Sequence, residues 1–336
     1  MQVTVLGGGS WGTTVASLSA GRNPTLLWAR SSDVADEINT AHTNTTYLPG
    51  FPLPTALRAT ADLEEAVGHA QVLVVGVPSH GFRQVLEAAR PFVHPWIPIV
   101  SLTKGLEQGT LLRMTEVIKD VLPGHPAAAL TGPNLAKEIM SGQAAAAVIA
   151  TEDQSVAAEL QAVLRRGLFR VYRNHDVIGC ELAGAMKNVV AIANGMAEGL
   201  SVGDNTRAAV ITRGLSELTR LGVSLGGEVS TFAGLAGMGD LLATCMSPTS
   251  RNRYVGEQLG RGRPIAEIVD EMSMVAEGVK TAVTVHELAA RQGVDIPICG
   301  EVYKVVTGQL PPSEAYRGLF SRESNWGSPG HEHDPD

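Results

Sequence analysis

Val3-Thr4-Val5-Leu6-Gly7-Gly8-Gly9-Ser10-Trp11-Gly12 joins a short apolar run to glycines spaced GxGxxG, and a helical pattern continues through Ala16 and Leu18. The run reads as a buried strand, so the glycines sit at a strand–turn–helix junction. That context gives each of them a physical task. Gly7 permits the tight turn, Gly9 lets backbone N–H groups approach a diphosphate, Gly12 allows close helix–strand packing, and the helix N-terminus attracts the anion. Ser10 and Trp11 then face the diphosphate. A glycine-rich turn with no ligand is the alternative, and the flanking strand and helix weigh against it.

Outward from this junction, short apolar runs alternate with helical stretches: Val3 to Leu6, Thr25 to Trp28, Val72 to Val77, Ile99 to Ser101, Ala127 to Leu130 and Ala145 to Ile149. The alternation predicts a Rossmann-type, doubly wound, mostly parallel sheet, whose strands are continuously apolar because both faces are buried. Near Asn174 the strand rhythm stops. Beyond it come alanine- and leucine-rich helical segments, Val177 to Glu198, Thr206 to Leu221, Arg253 to Gly260 and Thr281 to Arg291. We therefore expect an α/β dinucleotide-binding domain over 1–175 and an all-helical substrate domain over 176–320. A polar tail over 321–336 holds too little apolar surface to offset ordering entropy and is expected to be disordered.

A chain of 336 residues, 44% hydrophobic and 18% charged, suits two globular domains. The net charge of −8 argues against broad contact with nucleic acid, though a local basic cluster can still hold a phosphorylated ligand. Cys180, Cys245 and Cys299 are far apart and suggest neither a zinc site nor a disulfide framework, so no metal is expected. No basic leader precedes the first strand and no apolar run reaches spanning length, which points to the cytoplasm with no membrane span.

Cofactor choice is read at the end of the second strand. Arg30 stands where an NAD-selective protein usually carries an acidic side chain for the ribose 2′-hydroxyl, and it suits the 2′-phosphate of NADPH. Asp33 lies close enough in sequence to leave NADH open.

Further along, chemistry-bearing motifs recur in order: Ser101-Leu102-Thr103-Lys104-Gly105-Leu106, Gly132-Pro133-Asn134-Leu135-Ala136-Lys137-Glu138 and Glu181-Leu182-Ala183-Gly184-Ala185-Met186-Lys187-Asn188. After these come Ala236-Gly237-Met238-Gly239-Asp240-Leu241, Ser250-Arg251-Asn252-Arg253 and Val275-Ala276-Glu277-Gly278. With these motifs the chain resembles the bacterial NAD(P)H-dependent glycerol-3-phosphate dehydrogenase family from residue 1 to about 320. The resemblance implies a helical domain like the C-terminal one of 6-phosphogluconate dehydrogenase, an active site between the domains, and a homodimer. It also implies reversible reduction of dihydroxyacetone phosphate to sn-glycerol 3-phosphate for phospholipid synthesis.

Ketone reduction needs a proton donor beside the carbonyl. Lys187 has apolar helix neighbours, Leu182, Ala183, Met186, Val189 and Val190 among them, that should favour loss of its proton. By pattern alone it is equally a surface lysine; the resemblance makes it the catalytic acid/base. Asp240 would orient its ammonium and bond a substrate hydroxyl, or else cap a helix, and Thr244 would face the same way one turn on. Lys104, beyond a strand end where open sheets bind ligands, is expected to polarise the substrate; the resemblance adds contact with the nicotinamide. Gly132 and Asn134 would line the same cleft. Ser250, Arg251 and Asn252 offer a hydroxyl, a guanidinium and an amide before a helix, a cradle for the substrate phosphate. Ala136, Arg251, Val275 and Glu277 are implied cofactor contacts. The rival readings are a β-hydroxyacid or ketopantoate-type reductase, whose substrate carries a carboxylate, and a catalytically silent NADP-binding regulator, which should have lost Lys187 or Asp240.

Overall fold

In the computed structural model, which describes residues 1–272 and 276–321, β1 (Val3–Leu6) buries all four of its side chains. Alternate residues point to opposite faces of a sheet. Val3 and Val5 join one apolar cluster with Val15 and Ala16, while Leu6 joins another with Phe82, Leu86, Val117 and Ile118. Thr4 is the polar exception, and its hydroxyl donates to the Ala66 carbonyl at 2.7 Å. Continuous apolar character thus follows from a sheet covered on both sides.

The remaining strands are β2 (Thr25–Trp28), β3 (Arg58–Thr60), β4 (Val72–Val75), β5 (Ile99–Ser101), β6 (Ala127–Thr131), β7 (Ala145–Ala150) and β8 (Phe169–Asn174). Their order is β3-β2-β1-β4-β5-β6-β7-β8. The first six strands are parallel in the Rossmann order, and β7 pairs antiparallel to β6 while β8 runs parallel to β7. Seven helices connect them: α1 (Ser10–Ala20), α2 (Ser32–Ala41), α3 (Leu63–Gly68), α4 (Ser79–Ala89), α5 (Met114–Val121), α6 (Ala136–Met140) and α7 (Gln154–Leu164).

Two strands are additions to the sequence reading, and both are edges. β3 is only three residues long, and β8 alternates buried Phe169 and Val171 with exposed Arg170 and Tyr172. Neither shows the continuous apolar run that marks a central strand.

The chain divides into two compact units, Met1–Glu181 and Leu182 onward, and the division falls inside α8 (Val177–Gly199). The other helices of the second unit are α9 (Asp204–Ser224), α10 (Val229–Ala233), α11 (Asp240–Met246), α12 (Arg251–Gly260), α13 (Ile265–Asp270), α14 (Glu277–Gln292), α15 (Pro297–Val306) and α16 (Pro312–Ser321). By length and composition α8 could cross a membrane, but every residue from Leu182 to Ala197 is buried in protein. A largely apolar helix buried on every side belongs in a core. The expected disordered tail lies outside the described residues from 322 onward.

α15 begins at Pro297, and its first N–H groups need acceptors. Glu217 on α9 supplies them, accepting from Ile298 N at 2.6 Å and Cys299 N at 3.0 Å. The carboxyl is fully buried, and burial pushes its pKa up to about 7 against the two N–H groups that favour the anion. Because the folded state holds this proton more tightly than the unfolded chain, the associated stability is fully present below pH 4.5 and is lost as pH rises through about 7. Urea unfolding should show the wild type weakening, relative to Glu217→Gln, by up to about 3 kcal/mol across that window. Parallel pH profiles for the two proteins would refute the assignment.

Candidate active site

Gly7 has φ of +124°, and a side chain there would meet the Gly76 carbonyl oxygen at 2.7 Å. At Gly12 a Cβ would lie 2.0 Å from the Gly7 oxygen, so the helix starts directly over the turn. Nothing lies within 4 Å of a Cβ built on Gly9, the N-cap of α1, which has no side-chain cap. Anion-binding backbone is thus open where a diphosphate needs it. Ser10 is the first residue of α1, whereas the Trp11 ring turns to the core, edge-on to Phe169 at 6.2 Å. Asn44, which the sequence reading passed over, fixes the loop: its amide donates to Gly8 O at 2.8 Å and Thr13 Oγ1 at 2.9 Å. Gly12→Ala should weaken NADPH binding about tenfold or more by forcing this turn open, as a fluorescence titration would show. Unchanged affinity would mean that the turn does not set the diphosphate site.

Arg30 is exposed at the carboxyl end of β2, and the neighbouring Ser31 takes the N-cap position of α2 without a side-chain cap. Past β5, Lys104 Nζ donates to the Gly132 carbonyl at 2.8 Å, so two of the expected cleft residues meet. Gly132 follows β6 with φ of +108° and packs on the β7 backbone. Next to it, both amide atoms of Asn134 are buried with no hydrogen-bond partner among the described residues. A buried, unpaired amide is costly, and a bound carboxamide or hydroxyl would satisfy it. Ala136 opens α6, half-buried beside it. The residues therefore fit a dinucleotide.

In the second unit, Lys187 is 5% exposed and Asp240 2%. Lys187 Nζ donates to Asp240 Oδ1 and, at 2.6 Å, to Thr244 Oγ1, which in turn donates to the Asp240 main-chain oxygen at 2.7 Å. Apolar helix neighbours are only part of the lysine's surroundings, since α11 brings a counter-charge to it. A π-helical turn, Leu235–Gly239, delivers Asp240 to this position. Gly237 in that turn is forced, because a Cβ there would meet Phe232 O at 2.1 Å.

Asn188, beside the lysine, accepts from Asn252 Nδ2 at 2.9 Å, and Asn252 Oδ1 accepts from Gly278 N at 3.0 Å. This chain ties α8 to the starts of α12 and α14. Ser250 Oγ caps α12 by accepting from Arg253 N at 3.3 Å, and Arg251 is exposed at its first position. Of the expected cradle, much of the polar capacity of Ser250 and Asn252 is thus committed to the frame, and Arg251 stands at the helix N-terminus. Desolvation holds the Arg251 pKa below the usual arginine value, while the charge of Glu277 raises it. Val275 lies outside the described residues.

Two family models cover the chain, described as "NAD-dependent glycerol-3-phosphate dehydrogenase N-terminus" over residues 2–157 and the corresponding "C-terminus" over 176–317. The chain belongs to the NAD-dependent glycerol-3-phosphate dehydrogenase family. It is thus a member of a family of NAD(P)-dependent oxidoreductases. A glycerol-3-phosphate dehydrogenase [NAD(P)+] of Sphingopyxis alaskensis is 57% identical over 320 residues, 95% of this chain and 96% of its own length. One from Mycobacterium tuberculosis is 55% identical over 332 residues, 98% of this chain and 96% of its own. Among solved structures, the glycerol-3-phosphate dehydrogenase of Coxiella burnetii matches with a TM-score of 0.92 at 37% identity, covering 96% of this chain and 99% of its own.

Within this family member, the frame around the motifs rests on residues that motif reading did not find. Gly195 and Gly199 on α8 meet Gly256 and Gly260 on α12. A Cβ on Gly195 would lie 2.1 Å from Arg253 O, and one on Gly256 would lie 2.1 Å from Ile192 O. The two helices cross backbone to backbone, and paired Gly-x-x-x-Gly spacings in the sequence were the available signal. Glu198 then accepts from Arg253 Nε at 2.7 Å, while Arg253 Nη1 donates to Ser247 O at 3.3 Å, holding the segment between α11 and α12. Glu181, first in its motif, instead accepts from Arg113 Nη1 and Thr115 N, both at 2.9 Å.

Proposed function

We propose that this protein is a glycerol-3-phosphate dehydrogenase [NAD(P)+] that interconverts dihydroxyacetone phosphate and sn-glycerol 3-phosphate. The observation that carries the reading is the buried Lys187–Asp240–Thr244 cluster, tied through Asn188 and Asn252 to the helix start that bears Arg251. When bound, the nicotinamide supplies or accepts the hydride at C2 of the substrate. In reduction, Lys187 Nζ gives its proton to the C2 oxygen as that oxygen gains charge; in oxidation it takes the proton back. Asp240 holds the ammonium in one orientation, and Thr244 fixes a second of its N–H directions. Burial of the cluster keeps competing water from this proton.

Arg251 and the α12 N-terminus take the phosphate, and binding energy at this non-reacting end positions the ketone. Arg251→Ala should therefore lower kcat/KM for dihydroxyacetone phosphate by roughly 10- to 100-fold, the worth of a charge-assisted contact, with little change for unphosphorylated dihydroxyacetone. Equal loss with both ketones would overturn the cradle. Lys104 polarises the substrate, Gly132 and Asn134 line its site, and Arg30 selects NADPH by its 2′-phosphate, with NADH as the weaker cofactor. We place the enzyme in the cytoplasm as a homodimer that supplies glycerol 3-phosphate for phospholipid synthesis.

The test is the rate of NADPH oxidation with dihydroxyacetone phosphate, run beside dihydroxyacetone and beside NADH. Turnover confined to the phosphorylated ketone supports the reading. Folded protein that binds NADPH yet oxidises it only with a 2-keto acid would favour the carboxylate reductases instead.

A further inference from the structure

The exposed face of β8 is unlike the rest of this acidic chain. Four arginines, Arg165, Arg166, Arg170 and Arg173, fall within nine residues of a protein whose net charge is −8. Arg166 is committed to the Leu18 carbonyl at 3.2 Å. Arg165, Arg170 and Arg173 are exposed and form no ion pair among the described residues, whereas Arg83, Arg113 and Arg253 all do. Ahead of the strand, Gly167 takes a left-handed φ of +53° and turns the chain so that Arg166 and Phe169 pair across it. The turn leaves Leu168 at its tip, 59% exposed, and Tyr172 follows on the outer face at 54%. Leu168, Arg170 and Tyr172 share that face by the two-residue repeat of a strand, while Phe169 and Val171 fill the core behind it.

A projecting leucine, a tyrosine and Arg170 on one face, with exposed Arg165 before the strand and exposed Arg173 near its end, match the boundary of a lipid bilayer. Leucine enters the acyl edge, tyrosine sits at headgroup depth, and guanidinium groups pair with lipid phosphates. We propose that the β8 face docks this protein reversibly on membranes rich in anionic phospholipid. Charge complementarity selects this occupant, since a chain with an overall negative charge meets an anionic surface favourably only through a local cationic face. An extended peptide added to the β8 edge would run beside the strand and miss the turn tip where Leu168 projects.

The test is co-sedimentation of the full-length enzyme with vesicles of equimolar phosphatidylglycerol and phosphatidylcholine, against vesicles of phosphatidylcholine alone, at low and at physiological salt. Binding is expected only to the anionic vesicles, and to weaken as salt rises. The Arg165→Glu/Arg170→Glu/Arg173→Glu variant should bind on the order of 10²-fold more weakly or worse. Leu168→Ser should lose roughly tenfold without altering the salt dependence. A reversal elsewhere, Arg58→Glu/Arg90→Glu, on β3 at the opposite edge of the sheet and at the end of α4, should bind as wild type. NADPH binding and dihydroxyacetone phosphate reduction should be unchanged in every variant, which establishes that each is folded. Wild-type protein that ignores anionic vesicles, or an Arg58/Arg90 variant as impaired as the β8 variant, would overturn the proposal. So would a β8 variant that changes oligomeric state in the absence of vesicles, since the face would then join two copies of the chain.

Discussion

Lys187→Ala is expected to lower turnover with dihydroxyacetone phosphate by 10²-fold or more while leaving the affinity for NADPH unchanged. The first part follows from loss of the proposed proton donor, since a positioned acid/base group contributes about 10²- to 10⁴-fold. The second follows because the glycine turn of α1 belongs to the other unit of the chain. The substitution also leaves Asp240, 2% exposed, without its ammonium partner. A buried charge stripped of its partner costs about 3–5 kcal/mol, so lost activity alone would not separate chemistry from stability. The Lys187→Ala/Asp240→Ala double variant separates them, because removing both charges should restore most of the stability and none of the turnover. Were the double variant to regain activity with stability, Lys187 would be a structural residue.

Gly195→Val should destabilise the helical unit by about 4 kcal/mol, at the upper end of what a single substitution does. The atom that its Cβ would strike is the main-chain oxygen of Arg253, 2.1 Å away, and a helix backbone cannot step aside as a side-chain tip can. The helix that must move is α12, so KM for dihydroxyacetone phosphate should rise in whatever protein remains folded. Gly300→Ala is the matched control. It also lies inside a helix, but nothing stands within 4 Å of the added Cβ, so it should be neutral or stabilising by up to about 1 kcal/mol. Denaturant midpoints decide the matter, and equal midpoints for Gly195→Val and the wild type would mean that α8 and α12 do not cross in contact.

Much of the dinucleotide unit is legible in the sequence because burial on both faces leaves a local mark. Val72-Leu73-Val74-Val75 is apolar without interruption, and every residue of it is buried. β8 escapes the same reading because an edge strand has one wet face, and Arg170, Tyr172 and Arg173 break the pattern. In the helical unit the motifs name Lys187, Asp240, Asn252 and Arg251, but the links between them span 53 to 64 positions and leave no periodicity to read. Asn44 and Glu217 show the same limit. Each is polar and fully buried, and only the fold reveals the Gly8 oxygen or the α15 N–H groups that satisfy it.

The crossing of α8 and α12 also bears on how the chain is made. α8 is apolar enough by length and composition to span a membrane, and the glycines that fit against it lie roughly 60 residues further along the chain. At about 5–20 residues per second of synthesis, the helix waits roughly 3–12 s for that partner. During this interval it offers a ribosome-bound chain the profile of a membrane insert. Lys187, near its middle, opposes that fate by about 2.5–3.5 kcal/mol, the penalty for a lysine at the centre of a membrane helix. The side chain proposed as the proton donor of the finished enzyme would thus also help to keep the nascent one in water.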